Sequence, residues 1–272
     1  MKKSKNLKTY LPFAINVFQK NLSYRANAVI FILGEATMLA VTYYLWKAVY
    51  GSSEKSIING FSLNEMIIYV LISFITSLVI SADILSAIYR EVKDGSIAIN
   101  LIRPISYEKR MIFQGLGNVM YNFVVIFIIS FTIITILYYK YTGSLNLFNI
   151  IFYFVSMILG MLINLYYSYA FGLISFKITN MWGLSQIMGA ISGLLSGTLI
   201  PIAFFPKAIQ WIFNFLPFSS MIYTPTMIYL GKLTGFQLIK AIGIQVIWLC
   251  ILIVIARVMW NTLIKRLTIL GG

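Results

Sequence analysis

Met66-Ile-Ile-Tyr-Val-Leu-Ile-Ser-Phe-Ile-Thr-Ser-Leu-Val-Ile-Ser-Ala82 carries no charge between Glu65 and Asp83. An apolar run of about this length is what one helical crossing of a bilayer requires, some 20 residues at 1.5 Å each. Similar stretches recur, and six crossings are predicted at 27–49, 63–88, 112–138, 147–174, 182–200 and 239–263. The expected fold is an all-α polytopic membrane domain occupying 1–272. Of the 272 residues, 60 % are apolar and 10 % charged, so little remains for a soluble core once the crossings are filled. A sizeable cytoplasmic catalytic domain is thereby excluded.

Chemistry is narrowed further by what the chain lacks. With no histidine and the single Cys250, it has no His-ligated metal centre, no Ser-His or Cys-His dyad and no intrachain disulfide. No GxxxxGK[ST] loop occurs, so ATP hydrolysis of the P-loop kind must come from another subunit. The net charge of +14 reads as basic residues at the cytoplasmic membrane face rather than nucleic-acid binding, for which no soluble domain exists. With the N-terminus inside, 15 of the 21 Lys and Arg residues fall in inner segments, which predicts both termini cytoplasmic.

The flanks have their own patterns. Pro12, Asn16, Gln19 and Lys20 interrupt the first apolar stretch and no small-residue cleavage site follows, against a signal peptide. Leu7, Leu11, Ala14, Phe18 and Leu22 recur at helical spacing, so 1–25 is expected to hold an amphipathic helix in the cytoplasmic interface, with Lys8, Lys20 and Arg25 near the headgroups. Residues 201–238 contain Pro201, Pro206, Pro217 and Pro225 around an apolar run too short to cross. A seventh crossing there would also put Lys265 and Arg266 outside, so the segment is expected to be re-entrant or interfacial on the outer side.

Three sets of residues stand out. Gly189, Gly193 and Gly197 at four-residue spacing make one face of the fifth crossing flat enough for close helix packing, within the chain or against a partner subunit. Glu35, about 12 Å into the first crossing, and Asp83 near the inner end of the second are intramembrane acids. Either lines a substrate path or is paired structurally, Asp83 with Arg90 two turns on. The third set is the inner loop 90–110. There Asp94 or Ser96 caps a short helix bearing Ile97, Ile99, Leu101 and Ile102, Pro104 ends it, and Ser106 caps the next crossing. Such a helix suits docking into a groove of a cytoplasmic partner, or it folds back on the chain's own spans.

The run Glu91-Val-Lys-Asp-Gly-Ser-Ile-Ala-Ile-Asn-Leu-Ile-Arg-Pro104 resembles the loop after the second span of type 2 ABC exporter permeases, the branch related to daunorubicin and viologen exporters. Leu199-Ile-Pro-Ile-Ala-Phe-Phe-Pro206, Leu216-Pro-Phe-Ser-Ser-Met-Ile-Tyr-Thr-Pro225 and Tyr229-Leu-Gly231 are similar to the outer segment before the last span of the same family. The resemblance implies a bacterial cytoplasmic-membrane permease that pairs with a second permease, identical or related, on two separate ATPase subunits that hold ATP and Mg. It makes the N-terminal helix an elbow and 90–110 the coupling loop, with Glu91, Asp94, Gly95, Leu101, Arg103 and Pro104 as the matching residues. No cofactor is expected on this chain and it is not itself an enzyme. An amphipathic or hydrophobic substrate, such as a drug, peptide or lipid, is expected. Sugar-polymer export, or a non-transporting immunity or sensor scaffold, remains open.

Overall fold

A computed structural model describes residues 6–23, 25–178 and 180–267. The described residues are all-α apart from one hairpin of two two-residue strands. Helices α1 (Leu11–Ser23) and α2 (Arg25–Gly51) lead into strands β1 (Ile57–Ile58) and β2 (Phe61–Ser62), which pair antiparallel. Then come α3 (Leu63–Ile80), α4 (Ile84–Lys93), α5 (Ile97–Ile102), α6 (Tyr107–Asn122), α7 (Ile128–Thr142) and α8 (Leu147–Gly172). The chain closes with α9 (Trp182–Leu195), α10 (Lys207–Phe215), α11 (Pro217–Met221), α12 (Tyr223–Tyr229) and α13 (Gly235–Leu263).

Among the described residues four helical stretches are long and apolar enough to cross a membrane: Leu63–Lys93, Tyr107–Thr142, Leu147–Phe176 and Gly235–Leu263. Helix α2 spans 27 residues, about 40 Å. Helix α9 has 14, about 21 Å, which is shorter than the roughly 30 Å hydrocarbon layer.

The predicted second crossing is not one helix. It breaks at Ser81–Asp83, between α3 and α4. A break inside an apolar bundle exposes carbonyls that must find partners. Here Asn122 Nδ2 donates to the Leu78 carbonyl at 2.8 Å and Asn164 Nδ2 to the Ile80 carbonyl at 2.7 Å. One asparagine comes from α6 and the other from α8, so both helices tie off the end of α3. The third crossing runs from α6 to α7 through a π-helical turn at Phe123–Phe127, where Phe123, Phe127 and Phe131 stack at 5.1 and 5.0 Å.

The fifth crossing, expected over 182–200, ends at Leu195. Gly197 takes φ +76°, a left-handed conformation that terminates the helix and that glycine adopts without strain. The following non-helical carbonyls are satisfied by the neighbours. Tyr69 Oη donates to the Gly197 carbonyl, Ser73 Oγ to that of Thr198 at 3.0 Å, and the Tyr223 amide to that of Ser196 at 3.1 Å. Residues 201–238 do form short broken helices, as expected, but α12 is more than an interfacial turn. Thr226 and Ile228 are fully buried and Tyr229 nearly so, packed against α3 and α8. Its Tyr229 Oη donates to Thr135 Oγ1 at 3.0 Å.

One buried polar cluster fixes the last helix. Gln245 of α13 is fully buried; its Nε2 donates to the carbonyls of Ser156 and Ser220 and its Oε1 accepts from Ser156 Oγ, at 3.1, 2.7 and 3.0 Å. Every polar atom of the amide side chain is used, which ties α13 to α8 and α11. At the end where α3 begins, Ser62 and Glu65 form a reciprocal capping box. Lys232 pairs with Glu65 and donates to the Gly60 carbonyl. This clasp joins the hairpin to the turn before α13.

Candidate functional site

The opposite end of the bundle holds the 90–110 segment, and its base is rigid. Ile84, Ile88 and Val92 follow four-residue spacing on α4 and are buried against α8 and the turn after it. On the adjacent side Glu91 accepts two hydrogen bonds from Arg110, Nη1 to Oε1 at 2.8 Å and Nη2 to Oε2 at 2.7 Å. Tyr107 Oη adds a third at 3.0 Å. The Arg110 side chain is 3 % exposed and that of Glu91 15 %, so this pair is largely withdrawn from water. The guanidinium also lies 4.9 Å from the Tyr107 ring centre, and that ring stacks on Trp260 of α13 at 5.1 Å. Two ends of the loop and the last helix are therefore one unit.

The turn after α4 is built from Asp94 and Gly95. Gly95 sits at φ +74°, and its amide donates to the Val92 carbonyl at 3.4 Å. Asp94 Oδ1 accepts from the Ser96 amide at 2.9 Å. The hydroxyl and amide of Ser96 hold the Asp94 carboxyl below the usual carboxylate range. Of the two expected caps, Asp94 is the one whose side chain accepts from the backbone; the Ser96 side chain makes no capping bond to α5. Helix α5 then presents two different faces. Ile97 is fully buried and Leu101 packs against the same cluster, whereas Ile99 is 60 % and Ile102 75 % exposed. Arg103 follows in extended conformation and is exposed beside Pro104. Beyond it, Ser106 Oγ caps α6 through the Lys109 amide, as expected, and the Ser106 amide donates to Tyr10 Oη at 2.8 Å. Tyr10 is fully buried, so the residue just before α1 locks the far end of the loop.

The six residues singled out in the loop thus divide. Ile-bearing α5 and Arg103 project outward, Asp94 and Gly95 shape the turn, and Glu91 is committed to Arg110. The sequence offered no signal for that partner, nor for Tyr107, Tyr10 or Trp260, because the contacts cross many intervening residues. Leu101 faces its own bundle.

Asp83 lies in the break between α3 and α4, half-exposed, with Oδ2 accepting from Arg90 Nη2 at 2.8 Å. The structural pairing weighed against a path role is present. Glu35 falls on α2, and its side chain lies outside the described residues. The three glycines behave differently from the single packing face expected. A methyl group at Gly189 or Gly193 would meet nothing within 4 Å, and α9 buries no residue in this chain. Gly197 is not on the helix at all; its left-handed φ ends it. Tight intrachain approach occurs elsewhere, at Gly160, where a Cβ would come within 2.6 Å of the Met221 carbonyl, and at Gly117, where it would strike that of Ala14.

Between α3, α8 and the open side of α9 lies a groove of about 300 Å³ lined by Ser77, Asn164, Ser192 and Thr198 among others. Together with Ile80, Leu199, Met221 and Ile222, these hydroxyl and amide side chains give it a mixed polar and apolar surface without charge.

No curated protein and no solved structure matches the chain. A family profile described as ABC-2 family transporter protein matches residues 36–271, which takes in all four crossing-length stretches and includes both the α5 segment and the short helices α10–α12. This chain is a multi-pass membrane protein of the ABC-2 transporter family.

Proposed function

We propose that the chain is the permease subunit of an ATP-driven exporter, working with a second permease, identical or related, and two ATPase subunits that hold ATP and Mg. The observation that carries this is α5: a short helix with an apolar outer face, Ile99 and Ile102, next to Arg103, set on a base that Glu91, Arg110, Tyr107 and Tyr10 make stiff. A push on α5 from an ATPase groove would reach α4, α6 and α13 together. In this reading α5 is the coupling helix and α1 the elbow. Crossings two, three, four and six are the four long stretches, α2 is the first and α9 with its extended continuation the fifth, with both termini cytoplasmic. Helix α9, which buries no residue in this chain and leaves Gly189 and Gly193 open, faces the second permease, and the uncharged, mixed polar and apolar groove beside it suits an amphipathic substrate moved outward.

The test is co-expression with an ATPase encoded beside the chain. Ile102→Asp and Arg103→Glu should leave membrane insertion unchanged and weaken ATPase co-purification or uncouple hydrolysis from export in vesicles, because both side chains point away from the bundle. Retention of the partner at full export rate in both variants would sink the coupling assignment. A chain that binds the ATPase but moves no substrate tested in vesicles would favour a scaffold.

A further inference from the structure

A second pocket, of about 350 Å³, opens between α1, α4 and α6 at the inner end of the bundle. Its floor is Ile84, Ala87, Met111 and Gly115, and its rim is polar. Two acids at the rim are already neutralised: Asp83 by Arg90 and Glu91 by Arg110. That leaves Lys20 and Asp94 as rim charges without an ion-pair partner among the described residues. Uncommitted hydrogen-bond donors stand with them. The Gln114 side chain makes no hydrogen bond among the described residues, and Asn118 accepts from Asn21 Nδ2 through Oδ1 at 2.8 Å, so its own amide protons remain free. The pocket therefore offers one cation with amide donors and, separately, one carboxylate that Ser96 keeps ionised. Helix α1, which forms one wall, and the turn before it expose Leu7, Leu11 and Ile15, a stripe suited to acyl chains.

We propose that this pocket holds the headgroup of a phosphatidylethanolamine from the inner leaflet, its phosphate on Lys20, Gln114 and Asn118 and its ammonium on Asp94. A volume of this size lies within the range that encloses a small polar ligand. A primary ammonium fits better than a choline, because no aromatic ring lines the pocket and quaternary ammonium groups are held by aromatic faces. An anionic lipid without an amine would leave Asp94 unmatched. The inference rests on the reading of α1 as an inner-interface elbow, but its test needs no ATPase, so it can fail while the permease reading stands.

The full chain is purified from nanodiscs containing phosphatidylcholine, phosphatidylglycerol and phosphatidylethanolamine in equal amounts, and retained lipids are counted by native mass spectrometry. One phosphatidylethanolamine per chain should be retained preferentially. Lys20→Glu and Asp94→Asn should each lower that retention about ten- to a hundredfold, the loss expected for one charge-assisted hydrogen bond, while Lys20→Arg keeps it. Lys20 is exposed, so its variants test binding and not folding. Equal retention of all three lipids, or no change in the variants, would reduce the signal to annular lipid and overturn the proposal. Displacement by free phosphoethanolamine or inorganic phosphate at the same concentration would likewise overturn it, because a soluble phosphate would then be the ligand.

Discussion

Replacing Glu91 by glutamine keeps the size of the side chain and removes its charge. Arg110 would be left 3 % exposed with its guanidinium facing a neutral amide, and its Nε has no hydrogen-bond partner even now. Stripping one partner from a buried ion pair costs about 3–5 kcal/mol. Glu91 is 15 % exposed at the edge of the bundle, so about 3 kcal/mol is the appropriate end of that range. At about 2–4 °C per kcal/mol for chains of 150–250 residues, the melting midpoint should fall by roughly 10 °C. Midpoints can be read from the monodisperse peak of a fluorescent fusion after heating in detergent. The double variant Glu91→Leu with Arg110→Met removes both charges and should recover most of the loss, since no buried charge then lacks a partner. If Glu91→Gln melts at the parental temperature yet no longer recruits the ATPase, Glu91 is a docking residue and its pairing with Arg110 contributes nothing.

Gly160→Leu should abolish a stable fold, because the Cβ alone meets the Met221 backbone. Gly193→Leu should leave the melting of the isolated chain within about 0.5 kcal/mol of the parent and instead weaken permease pairing, read by cross-linking in membranes. Unchanged pairing would show that α9 does not meet a second permease. Single cysteines at Ser53, Ser144 and Thr234 in a Cys250-free background should label from outside and one at Ser96 should not; protection at Thr234 with external labelling of the C-terminus would mean that 208–230 crosses. Gln245→Leu should lower stability by about 2–4 kcal/mol in the same fluorescence assay, since it removes three buried hydrogen bonds that tie α13 to α8 and α11.

Apolar run length made the long helices legible, and the capping residues and Pro104 bracketed a short helix where α5 lies. Run length could not show the break at Ser81–Asp83, because no proline or glycine marks it and its stability comes from Asn122 and Asn164, 44 and 84 residues away from the carbonyls they cap. The early end of α9 has a local cause in Gly197, but glycine at that spacing reads equally as a packing residue. Small-residue spacing pointed to Gly189 and Gly193, whereas the close helix contacts lie at Gly117 and Gly160, where no periodic pattern singles them out. At the candidate coupling site the sequence grouped Ile97, Ile99, Leu101 and Ile102 as one apolar set, and only the fold separates the projecting Ile99 and Ile102 from Ile97 and Leu101, which face the bundle. Nor was the base legible, since Tyr10, Glu91, Arg110 and Trp260 meet only in three dimensions.

The asparagine ties at the end of α3 change how motion can travel. Bending a continuous helix by a large angle means stretching its own ladder of amide bonds, and the resistance rises along the whole rod. Here the ladder already stops, and the loose carbonyls are tethered to α6 and α8 by two swivelling side-chain amides. In the proposed coupling role helix α4 would work as if hung from a universal joint, tilting with α5 about the break at Ser81–Asp83 while α3 keeps its place against α12. The lever arm is short, so a small displacement of α5 would turn into rotation at the break rather than a pull on the Glu65–Lys232 clasp at the far end of α3.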